Sequence, residues 1–160
     1  MEIKLNPFWK QVLALLLPGA GGFLAIYVCM TVGHAAGLPL LMAPFGASCV
    51  IAFALPDSPL AQPRSIIGGH ALSTAIGLLL LHTVGSGVWS AALSVGLAIV
   101  GMQLTRTLHP PAGADPLVVM LGGAGWSFLW TPALLGSIVI VASACVFHRL
   151  CRRAYPQRWL

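Results

Sequence analysis

Apolar residues fall in six long runs, at about 11–33, 38–55, 66–84, 88–106, 109–125 and 131–148, separated by short turn-forming stretches. A run of roughly 20 apolar residues matches the hydrocarbon thickness of a bilayer, so the pattern predicts transmembrane helices. The second and fifth runs are interrupted. In the second, Leu38-Pro39 and then Pro44-Phe45-Gly46 break the helix, and Ser48 is placed as the N-cap of a short run to Leu55. In the fifth, His109 to Ala114 is irregular, Asp115 takes the cap position and Pro116 the favoured first helical position before Leu117–Gly123. Breaks of this kind strip backbone groups of partners in lipid. A chain that keeps two of them has a use for them.

The two breaks align at an offset of 67 positions, which sets Pro44 on Pro111, Gly46 on Gly113, Ala47 on Ala114 and Ser48 on Asp115. The same offset sets Gly69 on Gly136. The expected fold class is therefore an all-α polytopic membrane protein of two repeats, about 11–84 and about 88–148, each of three segments with a broken middle one. Three crossings per repeat is an odd number, so the halves are inverted and their half-helices meet at mid-membrane. Pro18-Gly19-Ala20-Gly21-Gly22 predicts a kink in the first run. Ala25, Cys29 and Gly33, and likewise Gly69, Ser73 and Gly77, put small residues at four-residue spacing, which lets helices approach closely in lipid.

Composition removes the soluble alternatives. Of 160 residues 58% are hydrophobic and 7% charged, with mean hydropathy +0.93, against about 25% charged in ordinary soluble domains. The expectation is one transmembrane domain over 1–160 with no soluble domain. Lys4 and Lys10 precede the first run, and Arg149, Arg152, Arg153 and Arg158 follow the last. The positive-inside rule then makes both termini cytoplasmic in a multi-pass protein of the inner (plasma) membrane, with an even number of crossings. Six crossings also put Arg64 and Arg106 inside, whereas four would put them outside. The first run is too long for a signal-peptide core and reads as an uncleaved span. Trp9, Trp89, Trp126, Trp130 and Trp159 sit at segment ends, as aromatic anchors do. Cys29, Cys49, Cys145 and Cys151 lack metal-site spacing and read as free thiols.

The chemistry follows from the breaks. Half-helix N-termini near Ser48 and Asp115 carry partial positive charge, which suits a small anion or polar solute. The expected substrate pathway is Pro44, Gly46, Ala47, Ser48, His109, Pro110, Pro111, Gly113, Ala114 and Asp115, with Gly46 and Gly113 letting backbone amides act as ligands. Arg64, His70 and Arg106, with His109, are expected to form a positive inner vestibule. The competing readings are interfacial snorkelling for the arginines and hydrogen bonds tying helix starts for the histidines. Asp115 caps a helix, pairs with Arg106 or His109, or carries a proton; the sequence leaves these open. His34, His82 and His148 lie near segment ends and read as interfacial. There is no HExxH, no Cys/His ligand spacing and no carboxylate pair. Neither enzymatic activity, a metal, a cofactor nor a nucleic-acid partner is expected. The alternatives are a channel or carrier for a neutral solute, an intramembrane enzyme using His109, Asp115 and His70, and a packing subunit. Six short helices leave little protein to shield two broken segments from lipid, so a homo-oligomer is expected.

Leu108-His109-Pro110-Pro111-Ala112-Gly113-Ala114-Asp115-Pro116 resembles the signature of the HPP family of integral membrane proteins. Ala43 to Ser48, Phe53 to Arg64 and Ile67-Gly68-Gly69-His70 are similar to that family's other recurrent blocks. Its members are usually described as four-span, which departs from the six crossings read here. Some members from photosynthetic lineages are associated with nitrite transport, so the resemblance implies a transporter or channel for a small monovalent anion. Other members carry appended CBS domains, which are expected to be absent from this chain.

Overall fold

A computed structural model describes residues 6–158; Lys4 and Trp159 lie outside the described residues. The protein is all helical, with no strand among the described residues. Asn6 opens α1 (Pro7–Ala36) by accepting a hydrogen bond from the Phe8 amide on its side-chain oxygen, at 3.2 Å. Gly37 closes it in the left-handed conformation, φ 66°. The helix continues through Pro18 where the sequence suggests a kink. α2 (Pro44–Ala54) is short and α3 (Pro63–Thr83) long; α4 (Val88–Leu104) follows, then α5 (Asp115–Gly122) after a 3₁₀ turn at Pro110–Ala114. A π turn at Leu129–Leu134, bent at Thr131 just before Pro132, leads into α6 (Leu135–Leu150). Three helical stretches, Pro7–Ala36, Pro63–Thr83 and Leu129–Leu150, are long and apolar enough to cross a bilayer by themselves.

The contacts fix the direction of every segment. Leu40 lies against Cys29 and Gly33 of α1, and Phe53 against Gly21, so the second segment descends α1 from its far end. α3 climbs back. α4 descends beside it, with Gly101 against Leu72 and Ile76. The fifth segment then ascends α3: Thr107 meets Gly68, His109 meets Gly69, and Pro116 meets Gly77. Finally α6 descends from Gly136, packed on Phe45, to His148, whose Nε2 lies 2.9 Å from the Ala52 carbonyl oxygen. Six segments thus run alternately up and down, and the start of α1 and the end of α6 share one end of the bundle.

The small-residue stripes do what their spacing predicts, with an addition. Gly21, Ala25, Cys29 and Gly33 are the buried residues of α1, and Gly69, Ser73 and Gly77 are buried in α3. Each stripe receives a broken segment. A β-carbon on Gly33 would sit 2.8 Å from the Leu38 carbonyl oxygen, and one on Gly69 would sit 2.8 Å from the His109 β-carbon. Irregular backbone therefore lies against protein at these points, the setting in which a membrane fold tolerates it. Leu15, Leu16, Phe23, Val88, Leu104 and Leu121 are exposed, leaving an apolar outer surface.

After α6 the chain folds back as a strap. The Tyr155 hydroxyl donates to the Ala61 carbonyl at 2.7 Å, and the Gln157 amide donates to Gln62 Oε1 at 2.8 Å. Removal from water pushes the Tyr155 hydroxyl pKa above the ordinary tyrosine range, with Cys145 adding to the shift.

Candidate functional site

The caps differ from the sequence reading. α2 begins at Pro44 with Ala43 as its cap residue, so Ser48 lies one turn inside the helix. Asp115 lies in the first turn of α5, and Ala114 occupies the cap position. The reason is local. Pro44 at the first helical position and Pro110 at the start of the 3₁₀ turn begin helical winding earlier than the capping pattern suggests. Ser48 and Asp115 are thereby released from capping and turned inward.

Both side chains enter one closed network. Ser48 Oγ lies 2.8 Å from His70 Nε2 and 2.9 Å from His109 Nε2. His70 Nδ1 lies 2.8 Å from Asp115 Oδ2, which also accepts from Thr74 Oγ1 at 3.3 Å. His109 Nδ1 reaches the Leu60 carbonyl oxygen at 2.9 Å. Ser73 Oγ donates to the Ala112 carbonyl at 2.6 Å and holds the 3₁₀ turn against α3. Ser48, His70, Ser73, Thr74, His109 and Asp115 are all fully buried. The Phe45 ring stands edge-on to His70, with centroids 5.0 Å apart, and closes one side.

The proton positions follow from the fixed acceptor at one end. A carbonyl oxygen only accepts, so His109 carries its proton on Nδ1 and, when neutral, accepts on Nε2 from the Ser48 hydroxyl. Ser48 then accepts from His70 Nε2–H. The His70–Asp115 bond holds one proton, shared between an imidazole and a carboxylic acid or between an imidazolium and a carboxylate. The Pro44 carbonyl lies 3.3 Å from Ser48 Oγ as a second acceptor. If His109 takes an additional proton on Nε2, Ser48 can turn its hydroxyl to Pro44 and accept from both histidines. Every bond remains satisfied, so the network accommodates two proton counts. Asp115 Oδ1 has no hydrogen-bond partner among the described residues.

Other expected site residues are placed differently. His70 and His109 are not at the mouth: α3 carries His70 inward beyond Arg64, and His109 sits on Gly69 in the core. Gly46 and Gly113 have open space where a β-carbon would stand, so neither position requires a close backbone approach. Gly46 instead lines an apolar groove with Phe23, Ile26 and Tyr27 on the face between α1 and α2. The Phe45 and Gly46 amides already donate to the Met42 and Ala43 carbonyls, and Ala112 N–H donates to His109. The Phe45, Gly46 and Ala112 amides are thus engaged and not free for an anion. Pro44 and Pro111 are buried, Ala47 and Pro110 exposed, and Ala114 lies between. His148, read as interfacial, is fully buried and stacks on Phe53.

Arg64 and Arg106 do come together. They line a basin at the shared end of the bundle with Asp57, Gln62, Ser65 and Arg158. Arg64 Nη2 donates to the Thr105 carbonyl at 2.7 Å. Pro59, also in the basin wall, is the chain neighbour of Leu60, the terminal acceptor of the network. Among the described residues no three of His, Cys, Asp or Glu form a group that would hold a metal ion. The sequence reading missed Leu60, Ser73, Thr74 and Phe45. Ser73 and Thr74, three and four residues after His70, mark a polar face on an apolar helix and were the available signal.

The family model for the HPP transmembrane region matches residues 9–156. The chain belongs to the HPP family. This HPP chain is 39% identical over 133 residues to a transmembrane protein of Dictyostelium discoideum, covering 78% of the chain and 47% of that protein. It is 36% identical over 128 residues to a second transmembrane protein of the same organism, covering 74% of the chain and 41% of that protein. The HPP chain thus spans under half the length of these curated relatives. No solved structure matches it. All of the network residues lie inside the HPP match.

Proposed function

We propose that the protein carries a small monovalent anion, nitrite or a close analogue, across the membrane together with a proton. The observation behind this reading is the buried chain Asp115–His70–Ser48–His109, whose links all persist with either of two proton counts. A charge alone in a low-dielectric interior is costly. A monovalent anion in the basin beyond Leu60 offsets the charge of a protonated His109, so proton and anion favour each other's entry. The basic basin beside Leu60 gathers anions at the mouth. In this reading all six segments cross, the two triplets of segments are inverted halves, and both termini face the cytoplasm of a plasma-membrane protein. Neighbouring copies shield the broken segments.

The Ser48–His70–Asp115 connectivity is also that of a serine hydrolase. The surroundings favour a relay instead. Ser48 Oγ is fully buried and already bonded to both histidines.

The test is nitrite, chloride and formate flux into proteoliposomes with the pH gradient imposed in either direction. Nitrite uptake should follow the proton gradient, and Asp115→Asn and His109→Ala should each abolish that dependence while the purified protein remains monodisperse. Flux indifferent to the gradient in all three proteins would replace the carrier by a passive pore. Absence of anion flux would leave neutral solutes as the class to assay.

A further inference from the structure

The basin holds more charge than a monovalent anion needs. Arg64, Arg106 and Arg158 converge on it from three separate parts of the chain, and Asp57 is its one carboxylate among the described residues. Asp57 is engaged through Oδ1 by the Gln157 side-chain amide at 2.9 Å. Among the described residues none of these arginines forms a salt bridge. Among the described residues the surplus is two positive charges. That matches a dianion.

One of these donors, Arg64, is held in place by its side chain, and the backbones of the other two are anchored at the rim. Arg64 is pinned through Nη2 to the Thr105 carbonyl, beside Arg106, and keeps the rest of its guanidinium fork free. Arg106 takes the left-handed position that ends α4, φ 57°, with its own amide bonded to the Gln103 carbonyl and the Thr107 amide to the Met102 carbonyl at 2.8 Å, so its backbone is fixed at the rim. The Arg158 amide donates to Gln62 Oε1 at 3.2 Å, which brings the strap's arginine to the same rim. α3 starts at Pro63, between the lining residues Gln62 and Arg64, with no side-chain cap and no acidic residue in its first turn, so its dipole adds to the arginine field. Forked guanidinium donors, one of them preset, around this surplus of positive charge suit a tetrahedral oxyanion.

We infer that the basin is a binding site for a phosphate group, supplied either by a soluble phosphate or by a lipid headgroup. Its occupant ties the C-terminal strap, through Arg158, to Arg64 and Arg106 of the helical body. The inference stands on the basin alone and does not depend on what the protein transports.

The experiment uses the full chain in two preparations. In detergent without lipid, inorganic phosphate, sulfate and chloride are titrated by calorimetry. In nanodiscs, retention of phosphatidic acid against phosphatidylcholine is read by native mass spectrometry. Arg106→Gly, which suits the left-handed backbone, removes one basin arginine. Arg153→Ala removes an equal charge at the same end, outside the basin. Saturable phosphate binding in detergent that weakens at least tenfold in Arg106→Gly, but not in Arg153→Ala, assigns a soluble ligand. The same pattern confined to phosphatidic acid assigns the headgroup. Equal loss in both variants would show diffuse attraction of a basic surface and overturn the site, as would failure of both probes to bind. Circular dichroism of Arg106→Gly checks that the helices survive, and Arg64→Gln serves as the second probe if they do not.

Discussion

Replacing Ser48 by alanine is the most direct probe of the buried network. The substitution removes one oxygen and leaves His70 Nε2 and His109 Nε2, now 2.8 and 2.9 Å from an atom that is gone, without their common partner. Interhelical hydrogen bonds inside membrane proteins contribute on average about 0.6 and up to about 1.7 kcal/mol each. Two such bonds in a fully buried site predict a loss of about 1–3 kcal/mol. The control is Ser143→Ala in α6, where the hydroxyl donates only to the Val139 carbonyl one turn back, at 2.8 Å, and a change of under about 0.5 kcal/mol is expected. Reversible unfolding by sodium dodecyl sulfate in mixed micelles, followed by circular dichroism, gives both values. ¹⁵N spectra of labelled histidines supply a second readout, because His109 should hold its proton on Nδ1 in the parent and lose that single tautomer's dominance in Ser48→Ala. If Ser48→Ala costs no more than Ser143→Ala and the histidine spectra do not change, the four side chains do not act as one network.

Two further substitutions test the frame around it. Gly69→Ala should destabilise the fold by about 1–3 kcal/mol in the same unfolding assay, since its β-carbon meets the His109 β-carbon at 2.8 Å and the Thr107 carbonyl oxygen at 2.9 Å. Tyr155→Phe should cost about 0.5–1.5 kcal/mol and increase proteolysis after Arg152 or Arg153, because the strap loses its bond to Ala61. The tyrosine's folded pKa is raised, so strap stability from this group is complete below the unfolded value and is lost as pH rises through the folded one. Alkaline release of the strap, seen as new tryptic cleavage, should therefore be present in the parent and lack this component in Tyr155→Phe.

The membrane class, the six runs and the two interrupted segments were legible because lipid imposes a simple demand, long apolar stretches with breaks conspicuous against them. Ser48, His109 and Asp115 were legible as residues at those breaks. What they do was not. Capping rules placed Ser48 and Asp115 at helix ends with free amides nearby, but Pro44 and the Pro110-Pro111 turn start the winding sooner and use those amides in local bonds. His70 was assigned to the mouth because linear distance from Arg64 is short, whereas six residues of helix are about 9 Å of rise and carry it to the level of Ser48. Leu60 was invisible for another reason: it acts through a carbonyl, and every residue has one.

The network joins residues 22, 61 and 45 positions apart in the chain, on the second, third and fifth segments. During synthesis Ser48 and His70 emerge well before Asp115 and His109. Without the fifth segment, Ser48 and His70 keep their mutual bond but lose His109 and Asp115 as partners. α5, eight residues long and headed by an aspartate, is too short to hold itself in lipid and needs those same contacts. The polar core is thus complete only when the fifth segment is docked, because its bonds join that segment to the second and third.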